Sequence, residues 1–506
     1  MDRRKFMMTA SSLMAMLGLG AQAGDAAVKS APKRTLGDGA LQNRKPNVVV
    51  MICDDLGYGD LGCYGSRLPT LNLDRMAAEG ARFTRWNSAH PICSASRAAL
   101  LTGRYGVRMD TGGAFDPDST NGTSTEEMLL SNLFQNKGYA TKAVGKWHLG
   151  YPRQYLPTSR GFDSYLGVPW SVDMAPFPLI RDTEVVQEMA DRDTLTPLFT
   201  DEAVRFLEDP QRAKQPFFLY LAYSYPHDAA RASARFHDKT AFGHVGDSIA
   251  EIDWSVGEII NTLKKQGLAD DTLVLFTSDH GPWYQGSPGI LRGRKASSWE
   301  GGSRVPMIAR WPGAIAPGRT VEDWCSHLDV LPTIARTCDL ALPAKPLDGS
   351  DISSIMFGAG DKVPRKPIIY FSAMGNGGRN VHCIRRDQWK LRVAQAINGE
   401  IYTNDRTTVA KGSAWLARPE LYNLEEDPSE SYDVANLHPK IVADLSRNLE
   451  EQIQSFPSAV QKAFTELKTN VGGISTPPGG SPRSANSNLD SYRSLSWDPP
   501  ELRPSR

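Results

Sequence analysis

The sequence lacks an excess of either charge, because its 506 residues hold 57 basic and 57 acidic side chains. A balanced charge gives no electrostatic footprint for nucleic acid or for an anionic membrane surface, so neither is expected as a partner. Any anionic substrate must therefore be attracted by a local cluster of cations.

Cysteine is also scarce. The six residues include no C-x-x-C pair, which argues against a zinc site of ordinary spacing and against a dense disulfide framework. Whether Cys325 and Cys338 pair in an oxidising compartment stays open. Beyond the N-terminus, no apolar run approaches the roughly 18 residues of a membrane-spanning helix.

The first 27 residues predict an export signal. Arg3 and Arg4 precede a short apolar run, and Ala-Gln-Ala at 21–23 is a small-x-small cleavage pattern. The paired arginines favour a twin-arginine signal, and the apolar run is too short for a membrane anchor. We therefore expect an exported bacterial protein, periplasmic or secreted, with no transmembrane segment in the mature chain.

From residue 45 onward, short apolar runs alternate with helical patterns. Continuous runs of β-branched and aromatic residues are typical of strands buried on both faces, which predicts an α/β domain with a mainly parallel sheet. The predicted strands are Asn47–Ile52, Tyr139–Val144, Pro216–Tyr223, Asp271–Ser278 and Arg304–Arg310. The predicted helices include Asn72–Phe83, Ser124–Gly138 with a Ser-x-x-Glu capping box, and Gly246–Gly267.

The sequence pattern changes near residue 370. Short alternating pieces and one late helix, His438–Ser455, predict a small antiparallel sheet capped by a helix. The C-terminal residues are rich in Pro, Gly and Ser and lack the apolar residues of a packed core. We predict an export signal at 1–27, a catalytic domain at 45–370, a small α+β subdomain at 371–460 and a tail at 461–506.

Polar side chains follow the predicted strands. Asp54 and Asp55 come after the first strand, and Asp279 and His280 come after the fourth. In open α/β sheets the ligand crevice lies outside the carboxyl ends of the strands, so these groups should converge. Three carboxylates and one imidazole favour a hard divalent cation, Ca²⁺ or Mg²⁺, over zinc.

Cations and imidazoles should surround this metal site. Lys146 and His148 follow the second predicted strand, and His227 follows the third. Together with Arg97 and Lys295 they resemble a cage for a tetrahedral oxyanion ester, whose oxygens the metal would polarise.

Cys93 begins the segment CSASRAALLTG, whose small residues predict a helix N-terminus that lowers the pKa of a thiol. A thiolate phosphatase needs an arginine six residues after the cysteine, but Ala99 stands there. No papain-like signature surrounds Cys93 either.

The segment CSASRAALLTGRYG resembles the signature of the type I sulfatases, C-x-P-S-R followed by A-x-x-x-T-G-R, in which the cysteine is oxidised to Cα-formylglycine. Four more stretches match that family in order: NVVVMICDDLGYGDLGCYG, GYATKAVGKWHLG, LFTSDHG and GRKASSWEGGSRVPMIARWPG. The segment LYNLEEDPSESYDVAN resembles its closing motif, so the resemblance spans about residues 45 to 455. It implies the arylsulfatase A-like branch and the alkaline phosphatase-like fold, a large mixed sheet sandwiched by helices with a smaller antiparallel sheet.

The resemblance also implies roles, position by position. The matches to the Ca²⁺ ligands are Asp54, Asp55, Asp279 and His280. The matches to the residues that hold the hydrated aldehyde and the sulfate are Arg97, Lys146 and His148. The pair matching the groups that bind sulfate and protonate the leaving oxygen is His227 and Lys295. Ser171 matches an active-site serine of this branch, and the further candidates for substrate binding are Trp170, Asp173, Asp228 and Arg292.

One position departs from the family pattern. Ala95 replaces the proline of C-x-P-x-R, the sequence read by the maturation partner, a formylglycine-generating or an anaerobic sulfatase-maturing enzyme. The implied function is hydrolysis of sulfate esters of a sulfated glycan, with the sugar and the sulfate position left open. Two alternatives remain: a phosphodiester or phosphonate monoester hydrolase of the same superfamily, and a non-catalytic sulfoglycan-binding protein if Cys93 is unmodified.

Overall fold

The computed structural model describes residues 45–358, 363–373, 376–396 and 412–471. The predicted export signal and most of the predicted tail lie outside these residues. The strands are β1 (Asn47–Cys53), β2 (Ala81–Phe83), β3 (Trp86–Asn87), β4 (Ala140–Lys146), β5 (Ser164–Val168), β6 (Leu179–Arg181), β7 (Glu184–Gln187), β8 (Phe217–Ala222), β9 (Thr272–Ser278), β10 (Met307–Arg310), β11 (Arg319–Val321), β12 (Cys325–Ser326), β13 (Ile368–Phe371), β14 (Val381–Arg386), β15 (Trp389–Ala396) and β16 (Ser413–Asn423). The helices are α1 (Leu71–Ala78), α2 (Cys93–Thr102), α3 (Leu130–Asn136), α4 (Leu195–Glu208), α5 (Gly243–Lys265), α6 (Glu300–Ser303), α7 (Val330–Thr337), α8 (Ser353–Phe357), α9 (Pro439–Ile453) and α10 (Ser458–Thr469).

The large sheet has ten strands in the order β11-β2-β10-β9-β1-β8-β4-β5-β6-β7. Its five central strands, β9 through β5, are parallel, whereas β10 on one side and β6 and β7 on the other run antiparallel to their neighbours. In register, Cys53 of β1 lies beside Ser278 of β9, and Ile52 lies beside Ala222 of β8. The carboxyl ends of the three strands are therefore level, and the predicted mixed, mostly parallel sheet is confirmed.

Both faces of this sheet are buried. Along β1, Val48, Val50 and Ile52 pack into one apolar cluster with α2, α3 and α7, whereas Val49 and Met51 pack into another with α1, α4 and α5. Burial of alternate residues on opposite faces explains why the strand is a continuous apolar run rather than an alternating one. All five predicted strands are confirmed to within three residues at each end.

Two predicted helices differ from the structure. The helix predicted to end at Phe83 stops at Ala78, because the chain turns at Gly80, where an added Cβ would lie 2.2 Å from the Ala309 carbonyl oxygen, and continues as β2. The capping box at Ser124 was a wrong prediction, since α3 begins only at Leu130. The guanidinium of Arg160 binds the carbonyl oxygens of residues 124 and 127, so this segment forms a turn instead of a helix.

A second sheet of four antiparallel strands, β13 to β16, follows the large one in the chain. Helix α9 confirms the predicted late helix, and α10, which was not predicted, crosses the predicted start of the tail at 461. Leu445 and Phe464 from these helices share one apolar cluster with Leu391 of β15 and Ala99 of α2. The small sheet therefore packs against the helix that begins at Cys93, while the division into domains stays a prediction.

None of the helices in the described ranges combines the length and the apolar character that crossing a membrane requires. All six cysteines are free thiols, so Cys325 and Cys338, both buried, are not joined in this structure.

Candidate active site

The predicted metal-binding side chains lie at one edge of the large sheet. Asp54 and Asp55 follow β1, and Asp279 and His280 follow its parallel neighbour β9. Parallel neighbours end at the same edge of a sheet, so the four side chains meet there, as the sequence predicted. All four are buried.

Cys93 is the first residue of α2, and its side chain lies against this group. Its Sγ is 3.2 Å from Nε2 of His280 and 3.5 Å from Oδ1 of Asp54. The donor atoms of these three residues and of Asp55 all lie within 4.8 Å of one another, close enough to share one metal ion. Asp279 adds a carboxylate oxygen 3.5 Å from the same Nε2. Carboxylates dominate this set, which suits a hard divalent cation.

Two fully buried cations hold the carboxylates in place. Lys146, the last residue of β4, donates from Nζ to Asp54 and to the hydroxyl of Ser171. Arg97, one helical turn after the cysteine, donates from Nε to Oδ2 of Asp279 at 3.0 Å, and its Nη2 lies 2.9 Å from the same oxygen. Both cations are fully buried, so removing either one would leave a carboxylate without its counter-charge in the interior.

A third cation and two histidines complete the wall of the site. Lys295 donates to both carboxylate oxygens of Asp55, at 2.8 and 3.0 Å, and Nε2 of His227 is 3.8 Å from the same carboxylate. Nε2 of His148 is 2.9 Å from the Phe115 carbonyl oxygen, while its Nδ1 is buried with no hydrogen-bond partner among the described residues. A buried nitrogen without a partner is costly unless a ligand uses it.

The protonation of the centre follows from these contacts. Burial lowers the pKa of His280, but Asp279 and then Cys93 outweigh it and raise that pKa to about 9. Burial raises the pKa of Asp279 to about 6 against the opposing charge of His280. Burial and Asp54 would raise the pKa of the Cys93 thiol, yet Lys146 and the cations around it lower it to about 6. The centre is thus polarised for an anionic oxygen or sulfur at position 93.

Two supporting residues were not predicted. The Ser96 hydroxyl donates to the carbonyl oxygen of Asp279 and lies 3.0 Å from Nδ1 of His327, so it ties α2 to the end of β9. His327 follows the two-residue strand β12, which is too short for the strand-end pattern that revealed the other histidines.

The small sheet supports the segment that carries Lys295. Lys390 on β15 is fully buried and donates to the Ser298 carbonyl at 2.8 Å, to Glu300 at 3.1 Å and to Glu430 at 2.8 Å. Because residues 298 and 300 closely follow Lys295, this buried ionic group links the small sheet to the edge of the large sheet where the candidate site lies. The contacts join distant parts of the chain, so no local pattern predicts them.

The candidates for substrate binding fall into different environments. Ser171 is in the site, but Trp170 is 3% exposed and its indole N–H donates to the Pro176 carbonyl, which gives it a packing role. Asp173 is exposed, and Asp228 accepts a hydrogen bond from Gln285 at 2.9 Å beside His227. Gln285 was not predicted, although it lies on the loop that leaves β9 at the same edge.

Arg292 is exposed and contacts residues outside the predicted metal-binding group. Its guanidinium lies 3.6 Å from the Trp299 ring centroid and donates to the carbonyl oxygen of Glu430 at 2.9 Å. As a substrate contact it stays a prediction.

Comparison with known proteins decides the family. Residues 46–340 match the family model described as Sulfatase. Human arylsulfatase A is 35% identical over 487 residues, which cover 87% of this chain and 95% of that protein. The chain belongs to the sulfatase family. Mouse N-acetylgalactosamine-6-sulfatase is 38% identical over 434 residues, 77% of this sulfatase and 82% of its relative.

Solved structures agree with this assignment. A sulfatase structure obtained in work on the metabolism of multiple glycosaminoglycans by Bacteroides thetaiotaomicron is 27% identical, with a TM-score of 0.73, and the match covers 81% of this chain and 99% of that one. This sulfatase therefore has the alkaline phosphatase-like fold of its family and is a sulfuric ester hydrolase. Sulfatases generally use a formylglycine and a divalent metal, and the buried Asp-Asp-Cys-His cluster can hold such an ion.

Proposed function

We propose that this sulfatase is exported and removes sulfate esters from a sulfated glycan, with a Cα-formylglycine made from Cys93 and with Ca²⁺ as the metal. One observation carries the proposal: Sγ of Cys93 lies at a helix N-terminus within 3.5 Å of both His280 and Asp54, inside the cluster of metal donors. A nucleophilic oxygen at that position would touch the metal and the cations together.

The residues fit a divalent cation. The Asp279 carboxylate contributes most to raising the pKa of His280 against the effect of burial. The centre therefore holds enough negative charge to keep an imidazole protonated. A metal ion satisfies the same demand with two charges, and oxygen donors favour Ca²⁺ over zinc. When bound, Ca²⁺ would polarise the sulfuryl oxygens and the attacking hydroxyl.

The residues around position 93 have separate tasks. A hydrated formylglycine would supply one hydroxyl to attack sulfur and displace the alcohol. Proton loss from the second hydroxyl would then restore the aldehyde as the carbon–oxygen bond to the sulfate breaks and sulfate is released. Asp279, whose pKa burial raises to about 6, takes the proton of the attacking hydroxyl, while Arg97 holds that carboxylate in position. His148 is the candidate to accept the proton of the second hydroxyl, because its Nδ1 has no hydrogen-bond partner among the described residues. Burial and then Lys146 hold the pKa of His148 well below its ordinary value, so the ring is neutral and this nitrogen can accept.

The leaving alcohol departs at the open side of the site. Lys295 is 9% exposed and His227 is 7% exposed, and both face Asp55 at the rim of the buried cluster. Lys146 and Lys295 stabilise the charge on the sulfuryl oxygens. His227, with Lys295, donates a proton to the leaving oxygen as general acid.

A glycan substrate is supported by the relatives. One acts on N-acetylgalactosamine 6-sulfate by its name, and the solved neighbour belongs to the metabolism of glycosaminoglycans. The twin-arginine pattern at Arg3 and Arg4 supports export, and these residues lie outside the described part of the chain. Conversion of Cys93 requires a formylglycine-generating or an anaerobic sulfatase-maturing enzyme as a transient partner.

The test measures free sulfate released from a set of desalted sulfated oligosaccharides, beside an aryl sulfate, a phosphodiester and a phosphonate monoester. We expect sulfate release from at least one oligosaccharide, and loss of that release in Cys93→Ala. Faster turnover of the phosphodiester or phosphonate than of every sulfate ester would assign the phosphorus chemistry instead. Binding of the oligosaccharides without turnover would support the alternative of a non-catalytic sulfoglycan-binding protein.

A further inference from the structure

A second group of metal donors lies on the surface, in the segment before α5 and in the first turn of that helix. We propose that His237, Asp238 and His244 form a binding site for a borderline transition-metal ion, with Zn²⁺ as its probe. Their donor atoms lie within 4.8 Å of one another. All three side chains are exposed, unlike the buried catalytic cluster, so the two sites are separate.

The geometry needs only small side-chain rotations. Nδ1 of His237 is 3.0 Å from Oδ2 of Asp238, and the rings of His237 and His244 have centroids 5.4 Å apart at an angle of 44°. Zinc with bonds near 2.1 Å in a tetrahedron places its ligand atoms about 3.4 Å apart. Exposed side chains can close the difference without displacing any packed residue.

The backbone under the site is already fixed. Asp247, on the second turn of α5, accepts hydrogen bonds from the backbone N–H groups of Asp238 at 2.8 Å, Lys239 at 3.1 Å and Thr240 at 2.8 Å. Its side chain is buried. The loop that carries two donors is therefore tied to the helix that carries the third, His244. A ligand set held in this way loses little conformational freedom when it binds an ion.

The donor types select the metal. Two imidazoles and one carboxylate favour zinc, copper or nickel, whereas Ca²⁺ and Mg²⁺ prefer oxygen ligands alone. Three protein ligands leave a fourth position for water. A bound ion would cross-link the segment between β8 and α5 to the start of that helix.

The test uses the untagged enzyme with Ca²⁺ saturating the catalytic centre, dialysed against Zn²⁺ and analysed for bound metal. We expect wild type to bind one zinc ion at this surface site. The variants His237→Asn and His244→Asn should each bind it with an affinity lower by a factor of about ten or more. His438→Asn, a change at a partly exposed histidine outside the group, should keep this zinc. All three variants should hydrolyse an aryl sulfate like wild type, which shows that they are folded.

The variant Cys93→Ser distinguishes zinc bound at the surface from zinc bound in the catalytic centre. This variant should also keep the surface zinc ion. Equal zinc binding by wild type and by the double variant His237→Asn/His244→Asn would overturn the proposal. Loss of all zinc in Cys93→Ser would overturn it as well, because the metal would then belong to the catalytic cluster.

Discussion

Replacing Lys390 with Met tests whether the buried ionic group joins the small sheet to the catalytic edge. The Lys390 side chain is fully buried and donates to Glu300 and Glu430. Methionine fills the space of the stem but leaves the two carboxylates without this cation. Breaking a buried ion pair by removing one partner costs about 3–5 kcal/mol, so the free energy of unfolding should fall by that amount at pH 7.

Urea unfolding followed by tryptophan fluorescence measures the effect. Lys462→Met is the control: Lys462 is 77% exposed, so its replacement should change the free energy of unfolding by less than about 0.5 kcal/mol.

The direction in which stability changes with pH follows from the pKa of Glu300. Lys390 and Arg304 outweigh burial and hold the pKa of Glu300 below its ordinary value, so the stability from this charge is present near neutral pH and is lost on acidification. The part of the Lys390→Met deficit that comes from Glu300 should shrink only as the pH falls below about 4.3, the ordinary pKa of a glutamate. A variant as stable as wild type at pH 7 would refute the reasoning.

Three further predictions concern the catalytic centre. Because Asp279 outweighs burial and raises the pKa of His280 above its ordinary value, a proton competes with the metal, and Ca²⁺ affinity measured by chelator competition should fall, by up to about tenfold per pH unit, as the pH is lowered toward neutral. His280→Asn should remove this slope, and equal slopes would contradict the assignment. Ala95→Pro restores the proline of C-x-P-x-R and should raise the formylglycine content measured by mass spectrometry. Position 95 lies in the first turn of α2, where proline displaces no helical hydrogen bond; unchanged formylglycine content would contradict the prediction. Ser171→Ala removes the hydroxyl that accepts from Lys146 and should lower kcat/KM about 10- to 100-fold, whereas a change below threefold would exclude a positioning role.

The strands and the metal-binding cluster were predictable from the sequence for one physical reason. Strands buried on both faces are continuous apolar runs, and the polar residues that end them must face the same edge of a parallel sheet. Asp54, Asp55, Asp279 and His280 follow from that rule with no knowledge of the strand order. The family resemblance then supplied roles for Cys93 and its neighbours.

Other features depend on contacts that no local pattern encodes. Lys390 meets Glu300 and Glu430 only after the small sheet has packed beside the large one. The wrong capping box at Ser124 has the same origin, because Arg160 takes the carbonyl oxygens that a helix would have used. Tertiary contacts therefore override a correct local signal.

The central claim is that position 93 acts as an aldehyde rather than as a thiol. Trypsin releases the peptide Trp86–Arg97 from the protein purified from its native host, and mass spectrometry of this peptide is the most direct test. The account predicts a peptide about 18 Da lighter than the cysteine form. The fraction of this lighter peptide should rise in proportion to the rate of sulfate ester hydrolysis across preparations. Full activity from protein whose Cys93 is an intact thiol would contradict it.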